Sequence, residues 1–115
     1  MRSCHIASLA ALGALVLSMQ AASAADSKRF SGVSKSIHDC VKRNGVSEHG
    51  TVYDPKDGDK GIGETATMVG KVKVSFELNA ADSSVVYVII SKPFIVSDTQ
   101  IFDGIADAIN ACRKK

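Results

Sequence analysis

The alternation of hydrophobic and polar positions predicts a β-hairpin in the second half of the chain. Polar and apolar residues alternate over residues 71–80, a pattern typical of a strand with one buried and one solvated face. Residues 81–84 have the composition of a turn, and residues 85–90 form an apolar run rich in β-branched side chains. We expect the first strand to bury Val72, Val74, Phe76 and Leu78 and to expose Lys71, Lys73, Ser75 and Glu77.

Apolar residues at helical spacing predict one helix before this hairpin and one after it. The first helix is predicted over residues 28–43, with an Asn44-Gly45 stop. Its apolar face comprises Phe30, Val33, Ile37, Cys40 and Val41. The second helix begins after Ser97, which has the capping-box spacing to Gln100. Its apolar face comprises Ile101, Ile105, Ala108, Ile109 and Cys112.

The segment 46–66 is rich in glycine and aspartate and has no clear periodicity, so we interpret it as a long loop. A short extended piece is predicted at residues 51–53. Asp54, Asp57 and Asp59 are candidates for partner contact, and with Glu64 they resemble an acidic metal loop. Their spacing differs from that of a calcium loop, which favours a solvated turn over weak calcium binding. The predicted fold is therefore α+β, a small antiparallel hairpin against two helices in α-β-β-α order.

Residues 1–25 have the three parts of a secretory signal peptide. Arg2 is followed by an apolar run over residues 6–17 and by small residues ending in Ala22-Ser23-Ala24. The apolar run is shorter than the roughly 20 residues of a spanning helix, which argues against a retained membrane anchor. We expect cleavage after Ala24 or Ala25, a periplasmic location, no membrane insertion after cleavage, and a single domain over residues 26–115.

Composition and charge narrow the classes of partner. The chain has 115 residues, with 14 basic and 12 acidic side chains, and no Trp. Arg2 is the only charged residue of the predicted signal peptide, so 13 basic residues remain against the same 12 acidic ones. A charge so close to zero argues against electrostatic capture of nucleic acid or anionic lipid.

Two of the three cysteines remain after the predicted cleavage, because Cys4 leaves with the signal peptide. An even pair in a small domain in an oxidising compartment favours a disulfide over two reactive thiols. Cys40 and Cys112 each lie near the end of a predicted helix, on its apolar face. We therefore predict one interhelical disulfide between them.

Motifs that would indicate an enzyme are weak. Gly58–Thr65 nearly fits a phosphate-binding loop, but Glu64 occupies the lysine position and would repel phosphate. His38 and Cys40 lie two positions apart on the predicted helix, so their side chains point in different directions and cannot form a nucleophile–base pair. The sequence predicts no catalytic residues, no cofactor and no metal site.

Four segments together resemble the C-terminal domains of TolA and TonB, the periplasmic energy-transducing proteins. They are Ser36–Arg43 as first helix, Val72–Asn79 and Val85–Ser91 as hairpin, and Phe102–Cys112 as second helix. Some TolA-like domains also carry a cysteine on each of these helices. The resemblance implies an α+β fold and a mode of binding in which an extended peptide adds to the sheet edge.

The leading functional hypothesis is a non-enzymatic binding or adaptor module that engages another periplasmic or envelope protein. Its predicted partner-binding residues are Lys71, Lys73, Ser75 and Glu77 on the sheet and Asp54, Asp57 and Asp59 in the 46–66 segment. The alternative is a periplasmic inhibitor or immunity protein against a cell-wall hydrolase or a secreted toxin. A third hypothesis is a carrier of a small ligand. The oligomeric state is left open.

Overall fold

The computed structural model describes residues 26–114, so the predicted signal peptide lies outside the described residues. These residues form an α+β fold of two helices and one antiparallel sheet. The elements in chain order are β1 (Ser27–Ser31), α1 (Lys35–His49), β2 (Val52–Asp54), β3 (Lys60–Thr67), β4 (Gly70–Asn79), β5 (Ser84–Ser91) and α2 (Asp98–Arg113).

The predicted hairpin is confirmed and forms the centre of the sheet. The strand order is β1-β5-β4-β3-β2, and every neighbouring pair is antiparallel. Phe76 lies opposite Tyr87, and Leu78 lies opposite Val85. Their side chains share one face of the sheet, because residues directly opposite in an antiparallel ladder point the same way.

Both helices pack on this one face. Phe76 and Leu78 are buried there as predicted, while Val72 and Val74 are half-buried near the start of β4. Helix α1 contributes Cys40 and Val41 to the same core. The other buried hydrophobic residues are Val33, Val85, Tyr87, Ile89, Phe102, Ile109 and Cys112.

The predicted disulfide is also confirmed. Cys40 of α1 and Cys112 of α2 are bonded, with their Cα atoms 5.9 Å apart and a sequence separation of 72. Both residues are buried, and the Asn44 side chain lies against both sulfurs. The bond therefore joins the two helices inside the hydrophobic core.

The predicted first helix is wrong at both ends. Phe30 belongs to strand β1, and the chain then turns through Gly32, whose φ of 68° is in the left-handed region. Ser34 caps the helix by accepting from the Ile37 amide. Gly45 lies inside the helix, which continues to a left-handed Gly50.

The predicted 46–66 loop is also wrong, since it contains the end of α1, strand β2 and most of β3. The extended piece predicted at residues 51–53 corresponds to β2. Gly63 belongs to β3, and the Tyr53 ring packs directly against it. Only glycine fits there without a shift, because a Cβ would be 2.9 Å from Tyr53 Cε1. The α-β-β-α order is not confirmed, because β1 precedes α1 and two further strands precede the hairpin.

Helix α2 begins where the sequence predicts. The Ser97 hydroxyl accepts from the Gln100 amide at 3.1 Å, and the Gln100 side chain accepts from the Ser97 amide at 2.8 Å. These two bonds satisfy amides that the first helical turn would otherwise leave unpaired.

The disulfide should contribute a large part of the stability of so small a core. We expect the paired variant Cys40→Ser with Cys112→Ser to lose about 2–5 kcal/mol of unfolding free energy, because the open chain regains loop entropy. Urea unfolding of the exported protein, followed by circular dichroism, measures the loss. Alkylation of Cys40 or Cys112 in exported protein before reduction would contradict the pairing.

Candidate partner-binding face

The face of the sheet opposite the helices is open. Among residues 26–114, no helix or connection packs across it. It nevertheless carries apolar side chains, of which Val52 is 68% exposed. The others are Ile62, Val86 and Val88. An apolar surface of this kind on a monomer is typical of an interaction site.

A concavity of about 530 Å³ lies on the open face. Ser75 lies in the middle of it, directly opposite Ile62 on one side and Val88 on the other. Its small side chain leaves a depression between two larger apolar ones. Polar side chains surround the depression, namely Asp54, Lys60 and Glu77.

The structure brings together part of the predicted partner-binding set. Lys73, Ser75 and Glu77 share the open face with Asp54, which lies opposite Ile62. The prediction that alternate residues of β4 point away from the helices is thus confirmed for these three. Lys71 lies nearer the end of the strand, with its Nζ 3.7 Å from Glu64 Oε2.

Strand β4 is not an edge of the sheet. It is paired with β3 on one side and with β5 on the other. Both sides of its backbone are therefore occupied, and no partner peptide can add to it.

The true edges of the sheet are β1 and β2, and both are short. At the end of β1, the Arg113 guanidinium donates to the carbonyls of Ser31 and of Gly32, which follows the strand. Strand β2 has three residues and is followed by Pro55, which has no amide to donate. Short or covered edges disfavour addition of another strand.

Asp57 and Asp59 lie away from the concavity, beside helix α1. The Asp59 carboxylate is 2.9 Å from Lys35 Nζ. The backbone carbonyl of Asp59 accepts a hydrogen bond from the Leu78 amide. The hydrogen bond from Lys35 lowers the pKa of Asp59 below its usual range. Asp57 lines a separate groove between α1 and the β2–β3 connection. Asp59 thus anchors the connection to α1 and β4.

Lys42 fixes the connection between β2 and β3, a role that the sequence pattern does not reveal. Its ammonium donates to the carbonyls of Lys56 and Gly58, both at 3.2 Å. The same nitrogen lies 5.2 Å from the ring centroids of Tyr53 and of Phe76. Cation–π attraction and two charged hydrogen bonds therefore tie the connection to α1.

His38 is a buried polar residue of α1 and is only 1% exposed. Neither ring nitrogen has a hydrogen-bond partner within residues 26–114, and the ring lies 5.3 Å from that of Phe76. Burial lowers the pKa of His38, and the positive charge of Lys42 adds to this effect. The other charged groups acting on it are Asp39, Asp59 and Lys35. The folded protein thus favours the neutral imidazole.

Two further properties bear on the kind of site. Across residues 26–114, no three His, Cys, Asp or Glu side chains are placed to hold a metal ion together. Neither helix of this part of the chain is long and apolar enough to cross a membrane.

The Lys42 contacts should govern local mobility. We expect Lys42→Met, which keeps the aliphatic stem but loses the donors, to destabilise the protein by about 1–2 kcal/mol. Amides of residues 56–58 should exchange faster, while those of β3 stay protected by the ladder. Hydrogen exchange with mass spectrometry measures both. Lys56→Met is the matched control, because Lys56 accepts from Lys42 through its backbone carbonyl and not through its side chain. Equal exchange rates in the two variants would contradict the role of Lys42.

Burial of neutral His38 should make stability depend on pH. Its pKa is higher in the unfolded chain, about 6.5, than in the folded one. The unfolded state therefore binds more protons below that pH, and the unfolding free energy falls as the pH decreases through this range.

Urea unfolding of His38→Leu at pH 7.5 and pH 5 should show a smaller loss on acidification than the unmodified protein. The loss attributable to one histidine is at most about 1.4 kcal/mol per pH unit. His49→Gln, at an exposed position of the same helix, is the control and should keep the full loss. The same acid sensitivity in His38→Leu would assign it to other groups.

The chain matches no protein-family model, no curated protein and no solved structure. The likeness to TolA and TonB domains therefore stays a prediction from sequence pattern.

Proposed function

We propose that this protein is an exported, non-enzymatic module that binds another periplasmic or envelope protein through the open face of its sheet. The observation that carries the proposal is the concavity around Ser75. It has an apolar floor of Ile62, Val86 and Val88 and a rim of charged groups. An apolar centre within a polar rim is the usual anatomy of a protein–protein interface.

The charges around the concavity support selective recognition. Lys60 lies directly opposite Glu77, and Glu64 lies directly opposite Lys73. Positive and negative groups therefore alternate along this face. Such a pattern rewards a partner with the complementary order of charges and penalises others, without a strong field of one sign.

The backbone arrangement favours binding on the face over binding at an edge. Strand β1 has five residues and Arg113 at its end, and β2 is too short to guide a long peptide. The open face, in contrast, spans five strands. A partner that presents a protruding apolar side chain would find its complement at Ser75.

Capture from periplasmic extract tests the proposal. The immobilised protein should retain a specific partner, and Ser75→Arg should weaken that binding at least about tenfold by filling the concavity. Glu77→Lys should weaken it too, by reversing one charge of the rim. Exposed and half-exposed substitutions of this kind should change the unfolding free energy by about 0.5 kcal/mol or less.

Ser47→Arg is the matched control, because it places the same side chain on the exposed surface of α1. It should leave binding unchanged. Binding that survives Ser75→Arg and Glu77→Lys would place the interface elsewhere. A captured cell-wall hydrolase whose activity falls on binding would identify the module as an inhibitor.

A further inference from the structure

The charged residues at the centre of the open face have an order that complements itself. On β4, Lys73 and Glu77 lie two positions before and two positions after Ser75. On β3, Glu64 lies opposite Lys73, and Lys60 lies opposite Glu77. The two rows that flank Ser75 therefore each carry one positive and one negative group, and the second row has them in the reverse order.

A half-turn about the row that contains Ser75 brings the two flanking rows together. This row crosses the strands through Ile62, Ser75 and Val88, which lie directly opposite one another in the ladder. We call it the axis row. A two-fold axis placed over it, between two copies of the sheet, reverses the strand direction in the second copy. Residues two positions before Ser75 in one copy then lie over residues two positions after it in the other.

The half-turn places an opposite charge over each charged group of the flanking rows. Lys73 of one copy faces Glu77 of the other, and Lys60 faces Glu64. Each of these contacts occurs twice, because the interface of a two-fold dimer uses the same surface on both copies. An axis parallel to β4 would instead place Lys73 over Lys73 and Glu77 over Glu77. The order of charges thus selects the antiparallel arrangement.

The apolar residues of the axis row are also compatible with a second sheet. Under the half-turn, Ile62 and Val88 each meet their own counterpart in the other copy. Sheets that pack face to face lie about 10 Å apart with their strands within about 30° of each other, a spacing that apolar side chains from both sheets fill. Ser75 would contribute one hydroxyl from each copy, with room for a bridging water between them.

The size of the open face limits the strength of this contact. Its strands have three to ten residues. With a rise of about 3.3 Å per residue and a spacing of about 4.8 Å, the five strands cover roughly 500 Å² in projection. Two copies would bury roughly 1,000 Å² together, which is near the lower limit for a specific interface. We therefore expect weak, reversible pairing that another protein can displace.

Asp54 is the charged residue of the axis row. It lies opposite Ile62 on β2, at an exposed position on the edge of the sheet. The half-turn places its carboxylate near that of the other copy, and such a contact between like charges weakens association. The arrangement therefore identifies one residue whose charge opposes pairing, as well as those whose charges favour it.

From this symmetry we propose that a second copy of this chain covers the open face when no other partner occupies it. The two sheets would form a sandwich with the helices as its outer layers, and each sheet would supply the cover that the other lacks. The inference rests on the proposed function, because it concerns the same face. It implies that a partner must displace the second copy in order to bind.

Charge-reversal variants of the exported protein test the pairing, with sedimentation velocity over a range of concentrations as the measurement. The unmodified protein should dimerise reversibly. Lys73→Glu or Glu77→Lys alone should weaken dimerisation at least about tenfold, because each places like charges over each other twice. An equimolar mixture of the two variants should recover dimers, since every reversed charge then faces an opposite one. Glu48→Lys, at an exposed position of α1, is the control and should leave dimerisation unchanged.

Two further variants sharpen the test. A chain with both Lys73→Glu and Glu77→Lys should pair with itself but not with the unmodified protein. Asp54→Asn should lower the dissociation constant about two- to fivefold, as expected when one exposed contact between like charges is removed. Circular dichroism checks that each variant is folded.

Three results would overturn the inference: a protein that stays monomeric up to about 1 mM, single reversals that leave dimerisation unchanged, or a mixture of the two variants that does not recover dimers. Sedimentation of the purified protein involves no other partner. A monomeric result would therefore leave the proposed function standing, because capture from periplasmic extract and its loss in Ser75→Arg test that function separately.

Discussion

The bond between Cys40 and Cys112 joins the two helices on which the one-sided core depends. These cysteines are 72 positions apart in sequence, and their bond holds the helices side by side over one face of the sheet. The central hairpin can bury Phe76 and Tyr87 only because both helices lie on that side. With two helices and both on one side, the opposite face has no cover among residues 26–114. The open face and its concavity are thus the direct counterpart of the one-sided core.

A second set of contacts secures the connection between β2 and β3 beside helix α1. Lys42 holds two of its carbonyls, and Lys35 holds the Asp59 carboxylate. Neutral His38 lies beneath these charges, against Phe76. This polar cluster explains how the β2–β3 connection is held without an apolar core of its own. It also keeps Asp57 and Asp59 away from the open face.

The sequence predicted the elements whose burial follows a simple period. The β4–β5 hairpin, the Ser97 cap and the disulfide were predicted because alternation, capping spacing and cysteine parity are local signals. Strand β1 was mistaken for helix because Phe30, from a strand, continues the spacing of Ile37 toward the same core. Strand β3 was missed because Gly63 stands where an apolar residue would signal burial, and the Tyr53 ring fills that space instead. The solvated face of β4 was predicted, but its central position depends on long-range pairing that no local pattern encodes.

The reach of Arg113 back to strand β1 has a consequence for the order in which the domain can be completed. The carbonyls of Gly32 and Ser31 find their donor 81 and 82 residues further along the chain, in helix α2. Cys40 likewise finds its partner in the same helix. The contacts around β1 and α1 are therefore completed only when α2 joins them. Contacts between residues so far apart in sequence form slowly, because the intervening chain must lose its loop-closure entropy before the contacts can stabilise it.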